Sequence, residues 1–300
     1  MNTKFRGTGV AIVTPFHKQG TIDFTALERL LEHLLAGGVD YLVVSGTTAE
    51  TATLTREEKN ALAGFVVEIV NKRVPLVIGI GSNNTQDVIN SIRSHSLDGY
   101  DAVLSVTPYY NKPQQRGLYL HYKSIATVCP LPIIMYNVPS RTSVNMKAEI
   151  TLQLAADFDN IIGIKEASGN IEQVMDIIRN KPKDFLVISG DDLLTLPLLG
   201  MGSDGVISVI ANAYPKLFSE MVNLGLKGDM KKAREIHYKL TDFIGSVFAD
   251  GNPSGIKAAL EIKEIISNNL RLPLVKIEKA HYNHMAVLMA ELELVSEEKR

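Results

Sequence analysis

Three hundred residues carry 31 Lys+Arg against 33 Asp+Glu, a formal net charge of −2 at pH 7. That balance excludes the basic stripe of a nucleic-acid binder, and a single cysteine, Cys129, excludes a disulfide scaffold or a cysteine-rich metal site. Apolar residues make up 45% of the chain but never run for about 18 positions, so no membrane span is expected.

The N-terminal segment MNTKFRGTGVAIVTPF has neither the apolar core nor the small-residue cleavage site of a secretory leader, and a cytoplasmic protein is expected. Its GVAIVTPF, residues 9–16, is the first of eight short β-rich runs. The others are 41–46 (YLVVSG), 75–81 (PLVIGIG), 102–108 (AVLSVTP), 132–139 (PIIMYNVP), 161–167 (IIGIKEA), 185–192 (FLVISGDD) and 205–211 (GVISVIA). Most are continuous Val/Ile/Leu stretches, the pattern of parallel strands covered on their outer face.

Helical patterns fill the intervals. Over 23–38, Phe24, Leu27, Leu30, Leu31, Leu34 and Leu35 share one face, with Asp23 as N-cap and Gly37–Gly38 as stop. Residues 55–72 open on Thr55 and Glu58, the capping-box spacing. Segments 85–95, 114–128, 147–157, 171–180, 193–200 and 214–226 complete the alternation. Eight strand–helix repeats within about 230 residues predict an α/β fold, a closed (β/α)8 TIM barrel rather than a doubly wound open sheet. Strand patterns end near Gly225–Gly228. The chain divides into a catalytic barrel over 1–229 and a helical region over 230–300, whose last helix carries Met285, Leu288, Met289 and Leu292 on one face. With no low-complexity linker between them, that region is expected to pack on the barrel or serve an oligomer contact.

In such a barrel the working groups lie at the carboxyl ends of the strands. Those ends hold Thr47–Thr48, Asn83, Tyr109–Tyr110, Tyr136 with Asn137, Lys165–Glu166, Asp191–Asp192, and Ser208 with Asn212. Lys165 follows apolar residues that a closed sheet would surround. Burial disfavours an ammonium, and a neutral amine attacks carbonyls to form Schiff bases. The structural alternative is a lysine paired with a carboxylate such as Glu166. Tyr136, on the preceding strand, places a phenol where proton transfers need one. Thr47 and Thr48 offer donors for a small carboxylate, and Arg141 a planar fork for a second.

Other motifs fail on context. GMGSDG (200–205) precedes a strand, the reverse of a dinucleotide fingerprint, and GIGSNN (79–84) lacks its third glycine. No P-loop occurs. Asp191–Asp192 read as an N-cap for the following helix rather than a magnesium site. The seven histidines avoid the strand ends, so no metal is expected, and Cys129 before Pro130 reads as inert.

GTTAET (46–51), TPYYNKP (107–113), YNVPSRT (136–142), GIKEASG (163–169), SGDD (189–192) and GVISVIAN (205–212) resemble, in order and spacing, the signature segments of the dihydrodipicolinate synthase and N-acetylneuraminate lyase family of pyruvate-dependent class I aldolases. The resemblance spans nearly the whole chain. It implies that Lys165 forms a Schiff base with pyruvate and that Tyr136, Thr47 and Tyr110 relay protons, Tyr110 arriving from a neighbouring subunit. It implies Thr48, Gly190 and Ile207 around pyruvate and Arg141 on the carboxylate of L-aspartate 4-semialdehyde. It implies that no metal or organic cofactor is needed, and a homotetramer built as a dimer of dimers, the common assembly of the family. The product implied is 4-hydroxy-tetrahydrodipicolinate, on the route to diaminopimelate and lysine. YNVPSRT and TPYYNKP favour this over a sister aldolase acting on N-acetylneuraminate or a 2-keto-3-deoxy sugar acid, and the intact residue set argues against a silent barrel serving as a binding module.

Three positions depart from the family: Ala49 and Thr51 replace a glycine and a serine, and Ile210 stands where threonine is common. Ala49 is expected to restrict a backbone angle that glycine leaves free. Thr51, Asn83, Asp87 and Tyr109 match the region where some members bind lysine as inhibitor. Arg56 and Lys59 stand there in place of histidines, and their charge is expected to repel a lysine ammonium.

Overall fold

The computed structural model describes residues 3–297. Eight parallel strands close in chain order into one barrel: β1 (Gly7–Ala11), β2 (Tyr41–Val44), β3 (Leu76–Gly79), β4 (Ala102–Val106), β5 (Ile133–Asn137), β6 (Ile161–Glu166), β7 (Leu186–Ser189) and β8 (Gly205–Ser208). Closure brings Gly7 opposite Gly205. A Cβ on Gly205, whose φ is +150°, would strike the Gly7 backbone, so the β8–β1 seam requires glycine there.

Every expected strand forms, each shorter than its apolar run. The first differs most: β1 occupies 7–11 rather than 9–16, because Pro15 has no N–H for a ladder and Phe16 instead bridges antiparallel to Ile22.

The helices are α1 (Phe24–Ala36), α2 (Arg56–Val70), α3 (Thr85–Ser94), α4 (Gln115–Val128), α5 (Pro139–Thr142), α6 (Ala148–Asp157), α7 (Ile171–Asn180), α8 (Thr195–Gly200), α9 (Pro215–Leu226), α10 (Met230–Ala249), α11 (Ser254–Ile262) and α12 (Lys279–Glu297). Asp23 caps α1 through Ala26 N–H at 2.9 Å, and Thr55 and Glu58 form the reciprocal capping box of α2. The short α5, which carries Arg141, has no counterpart in the apolar periodicity: four residues are too few to show one. Among the described residues no helix is long and apolar enough to cross a membrane.

Two apolar layers result. Leu42, Val44, Ile78, Val103, Met135, Ile164 and Val187 pack outward against the helices. Val43, Val77, Leu104, Ile134, Tyr136, Ile162, Ile188 and Ile207 fill the barrel. On β6 the alternation breaks: Ile133 pairs with Ile161 but Ile134 with Gly163, one extra residue on β6. A one-residue slip exchanges the two faces of a strand. Ile162 therefore faces inward, Ile164 outward, and Lys165, level with Tyr136, inward again. The irregularity sets the direction of the lysine.

Beyond the barrel, α10 packs on α9 and α12. On α12, Met285 and Met289 are buried, with Leu288 and Leu292 half-buried beside them.

Candidate active site

Lys165 is 6% exposed near the carboxyl end of β6, and Tyr136, in register on β5, is 7% exposed. The Lys165 Nζ stands 4.3 Å from the centre of the Tyr136 ring. Among the described residues Lys165 forms no ion pair. Glu166 faces the other way: its carboxylate accepts from Asn137 Nδ2 at 3.0 and 3.2 Å, Gln173 Nε2 at 3.0 Å and Ser168 N at 2.7 Å. Burial raises the Glu166 carboxyl above its ordinary value, while those donors pull it down. The structural alternative of a Lys165–Glu166 pair is thus removed, since the two residues lie on opposite faces of the sheet. What remains is a primary amine beside a phenol in an apolar barrel mouth, the pairing a carbonyl-condensing site requires.

Gly190 at the end of β7 makes room for the amine. A Cβ there would come 3.0 Å from Lys165 Cε and 3.2 Å from Lys165 Cγ. Ile207, 1% exposed on β8, belongs to the inner layer with Tyr136.

The loop after β2 supplies the threonines. Thr47–Ala49 form a 3-10 turn, whose first N–H groups have no acceptor within the turn. Thr48 is buried and its Oγ1 accepts from Asn252 Nδ2 at 3.0 Å, whereas Thr47 is exposed. The left-handed residues of this loop are Ser45 (φ 58°) and Glu50 (φ 54°), not Ala49. The alanine therefore sits unstrained where a glycine is usual, contrary to expectation, and its carbonyl accepts from Thr14 Oγ1 at 2.7 Å. Thr51 spends its hydroxyl on the carbonyls of Ser45 at 3.1 Å and Gly46 at 2.5 Å.

Arg141 and Tyr110 lie farther out. Arg141 is exposed on α5, a turn anchored by Thr142, whose Oγ1 donates to Val138 O at 3.2 Å and to Val144 O at 3.0 Å. Tyr110 is 83% exposed after β4, with a left-handed φ of 71°. Tyr109 beside it is exposed, as are Asn83 and Asp87. Asp87 shares a surface groove of about 280 Å³ with Arg56, Lys59 and His95.

Asp191 and Asp192 separate in role. Asp191 Oδ1 accepts from Leu193 N at 2.9 Å and Leu194 N at 3.1 Å, but α8 starts beyond them with no side-chain cap. Asp192 is 2% exposed and turns toward β8, accepting from Ser208 Oγ at 2.5 Å, Val209 N at 3.0 Å and Ile210 N at 3.3 Å. Burial pushes its carboxyl up to about 6. Sequence spacing favours the local cap; the tertiary hydrogen bonds win because they satisfy buried N–H groups.

Asn252 and the fully buried ion pair between Glu50 and Lys257 are the contributions that sequence reading missed. Both come from the C-terminal region, more than 200 residues away along the chain, where no local pattern marks them. His281, a metal-ligand candidate by type, is instead tied to Ser246 Oγ at 3.0 Å and Asp250 Oδ2 at 2.8 Å.

Comparison with known proteins agrees with this fold. Residues 4–292 match the profile of the dihydrodipicolinate synthetase family. The 4-hydroxy-tetrahydrodipicolinate synthase of Phocaeicola vulgatus is 50% identical over 294 residues, covering 98% of this chain and 99% of the relative. That of Bacillus subtilis is 43% identical over 288 residues, covering 96% and 99%. The crystal structure of the Thermotoga maritima dihydrodipicolinate synthase superposes with a TM-score of 0.94 at 41% identity, covering 97% of this chain and 99% of that one.

Proposed function

This chain belongs to the dihydrodipicolinate synthetase family, and we propose that its barrel mouth joins pyruvate to L-aspartate 4-semialdehyde through an imine on Lys165. It is a lyase of lysine biosynthesis, and the product is 4-hydroxy-tetrahydrodipicolinate. The observation that carries the residue assignment is the inward Lys165 amine, 4.3 Å from the Tyr136 ring and in no ion pair among the described residues.

The chemistry follows from those groups. The Lys165 amine adds to the pyruvate ketone, and loss of water leaves the imine. Tyr136, with Thr47 and Tyr110, carries the protons that carbinolamine formation and dehydration exchange. The imine draws electrons from the adjacent methyl, which loses a proton to give the enamine. The enamine carbon attacks the aldehyde of the second substrate. That substrate's amine then attacks the imine carbon, closing the ring and releasing Lys165.

Thr48 holds the pyruvate carboxylate, with Gly190 and the backbone of Ile207 completing its pocket. Arg141 meets the carboxylate of the semialdehyde as a planar fork. No organic cofactor or metal takes part, because the covalent imine itself is the electron sink. Tyr110, with most of its ring in solvent, is read as reaching the site of a neighbouring copy in a dimer of dimers. A cytoplasmic location suits a biosynthetic enzyme with these substrates.

The test is borohydride trapping with pyruvate, followed by turnover with L-aspartate 4-semialdehyde beside N-acetylmannosamine and glyceraldehyde. Mass gain at Lys165 and pyruvate loss with the semialdehyde alone are expected. Lys165→Ala should abolish both while native circular dichroism persists. Near-wild-type activity in that variant would sink the assignment, and preference for a sugar acceptor would move the enzyme to a sister activity.

A further inference from the structure

The turn that carries Thr48 is held from outside the barrel. Asn252, between α10 and α11, donates its Nδ2–H to Thr48 Oγ1 at 3.0 Å, and both residues are buried. A hydroxyl has one hydrogen and two lone pairs. With one lone pair occupied by Asn252, the Thr48 hydrogen points away from the amide and remains available to an acceptor elsewhere. The other end of the amide, Oδ1, is buried with no hydrogen-bond partner among the described residues.

The shape of the turn does not depend on this bond. Glu50, in its left-handed conformation, forms an ion pair with Lys257 of α11, both side chains fully buried. The Arg271 N–H reaches Glu50 Oε2 at 3.1 Å, and its guanidinium bonds Thr53 O and Glu58 Oε2 at 2.8 and 2.7 Å. These contacts fix the backbone on either side of the threonines. What they leave undetermined is the direction of the Thr48 hydrogen.

We propose that Asn252 is a positioning residue for the keto acid: by donating to Thr48 Oγ1 it commits the Thr48 hydrogen to the pyruvate carboxylate. This rests on the reading of Thr48 as the partner of that carboxylate. The C-terminal helical region thereby acts on the pyruvate site through one side chain.

Two variants separate this role from a structural one. Asn252→Asp keeps the size but replaces the donor with acceptors, so the Thr48 hydrogen turns toward the new carboxylate, beside a substrate of like charge. Asn252→Ala only frees the hydroxyl to rotate. The pyruvate KM is expected to rise about tenfold or more in N252D and less in N252A, with kcat at saturating pyruvate near wild type and native circular dichroism in both. A KM for N252D within about twofold of wild type, or equal rises in both variants, would overturn the role. Failure of the unsubstituted protein to trap pyruvate on Lys165 would instead overturn the reading beneath it.

Discussion

Gly190 lies directly against the Lys165 side chain: a methyl group at 190 would stand 3.0 Å from Lys165 Cε and 2.7 Å from Ala167 Cβ. The strand end is pinned in place, since Gly190 N donates to Glu166 O at 2.8 Å. A methyl group there forces a shift of Ala167 and of the Lys165 side chain together.

Gly190→Ala is accordingly a test of lysine placement without change to the lysine. The position has no left-handed φ, so the effect is steric. A shift of the amine by about 1 Å is enough to lower kcat/KM by about 100-fold. The rate of borohydride trapping should fall in parallel while circular dichroism stays native. Unchanged trapping would show that the side chain has room the contact denies.

Much of this arrangement is legible in the sequence because it is local. Asp23, Thr55 and Glu58 cap the helices their spacing assigns to them. The eight Val/Ile/Leu runs become eight strands because each has a buried outer face, and continuous apolarity is what such strands need. Lys165 stands out because a cation ends an apolar run. What was not legible depends on distance along the chain or on register. The extra residue on β6, which turns Lys165 inward, is marked in IIGIKEA only by Gly163, and a lone glycine does not give the direction of the residues after it. Asn252 reaches Thr48 across 204 positions. Asp192 ignores the neighbouring helix because its acceptors are needed by Val209 and Ile210.

Inhibition by lysine is expected to be weak or absent. Arg56 and Lys59 line the same groove as Asp87, so an incoming ε-ammonium meets two cations for one carboxylate. Thr51 commits its one hydrogen to the carbonyls of Ser45 and Gly46, which leaves it no donor for a ligand carboxylate. Like charges brought together are a strong discriminator against a ligand. Initial rates measured as L-lysine is raised at fixed substrate should stay nearly constant. Strong inhibition at low lysine would mean that Arg56 and Lys59 swing away from the groove.

Asp192 gives the fold a pH dependence of unusual sign. Burial raises its carboxyl from 3.8 to about 6, outweighing the opposing pull of Ser208, Val209 and Ile210. Between those values the folded chain holds a proton that the unfolded chain has released. The protonated group thus contributes its full stability below about pH 4, and that contribution is lost as pH rises through about 6. The difference corresponds to about 3 kcal/mol. Asn at this position cannot titrate. Urea unfolding of the wild type and Asp192→Asn, compared at steps from about pH 4 to about pH 7, should show the wild type losing stability relative to the variant as pH rises. A constant difference across that range would mean that the carboxylate is charged throughout, its hydrogen bonds from β8 outweighing its burial.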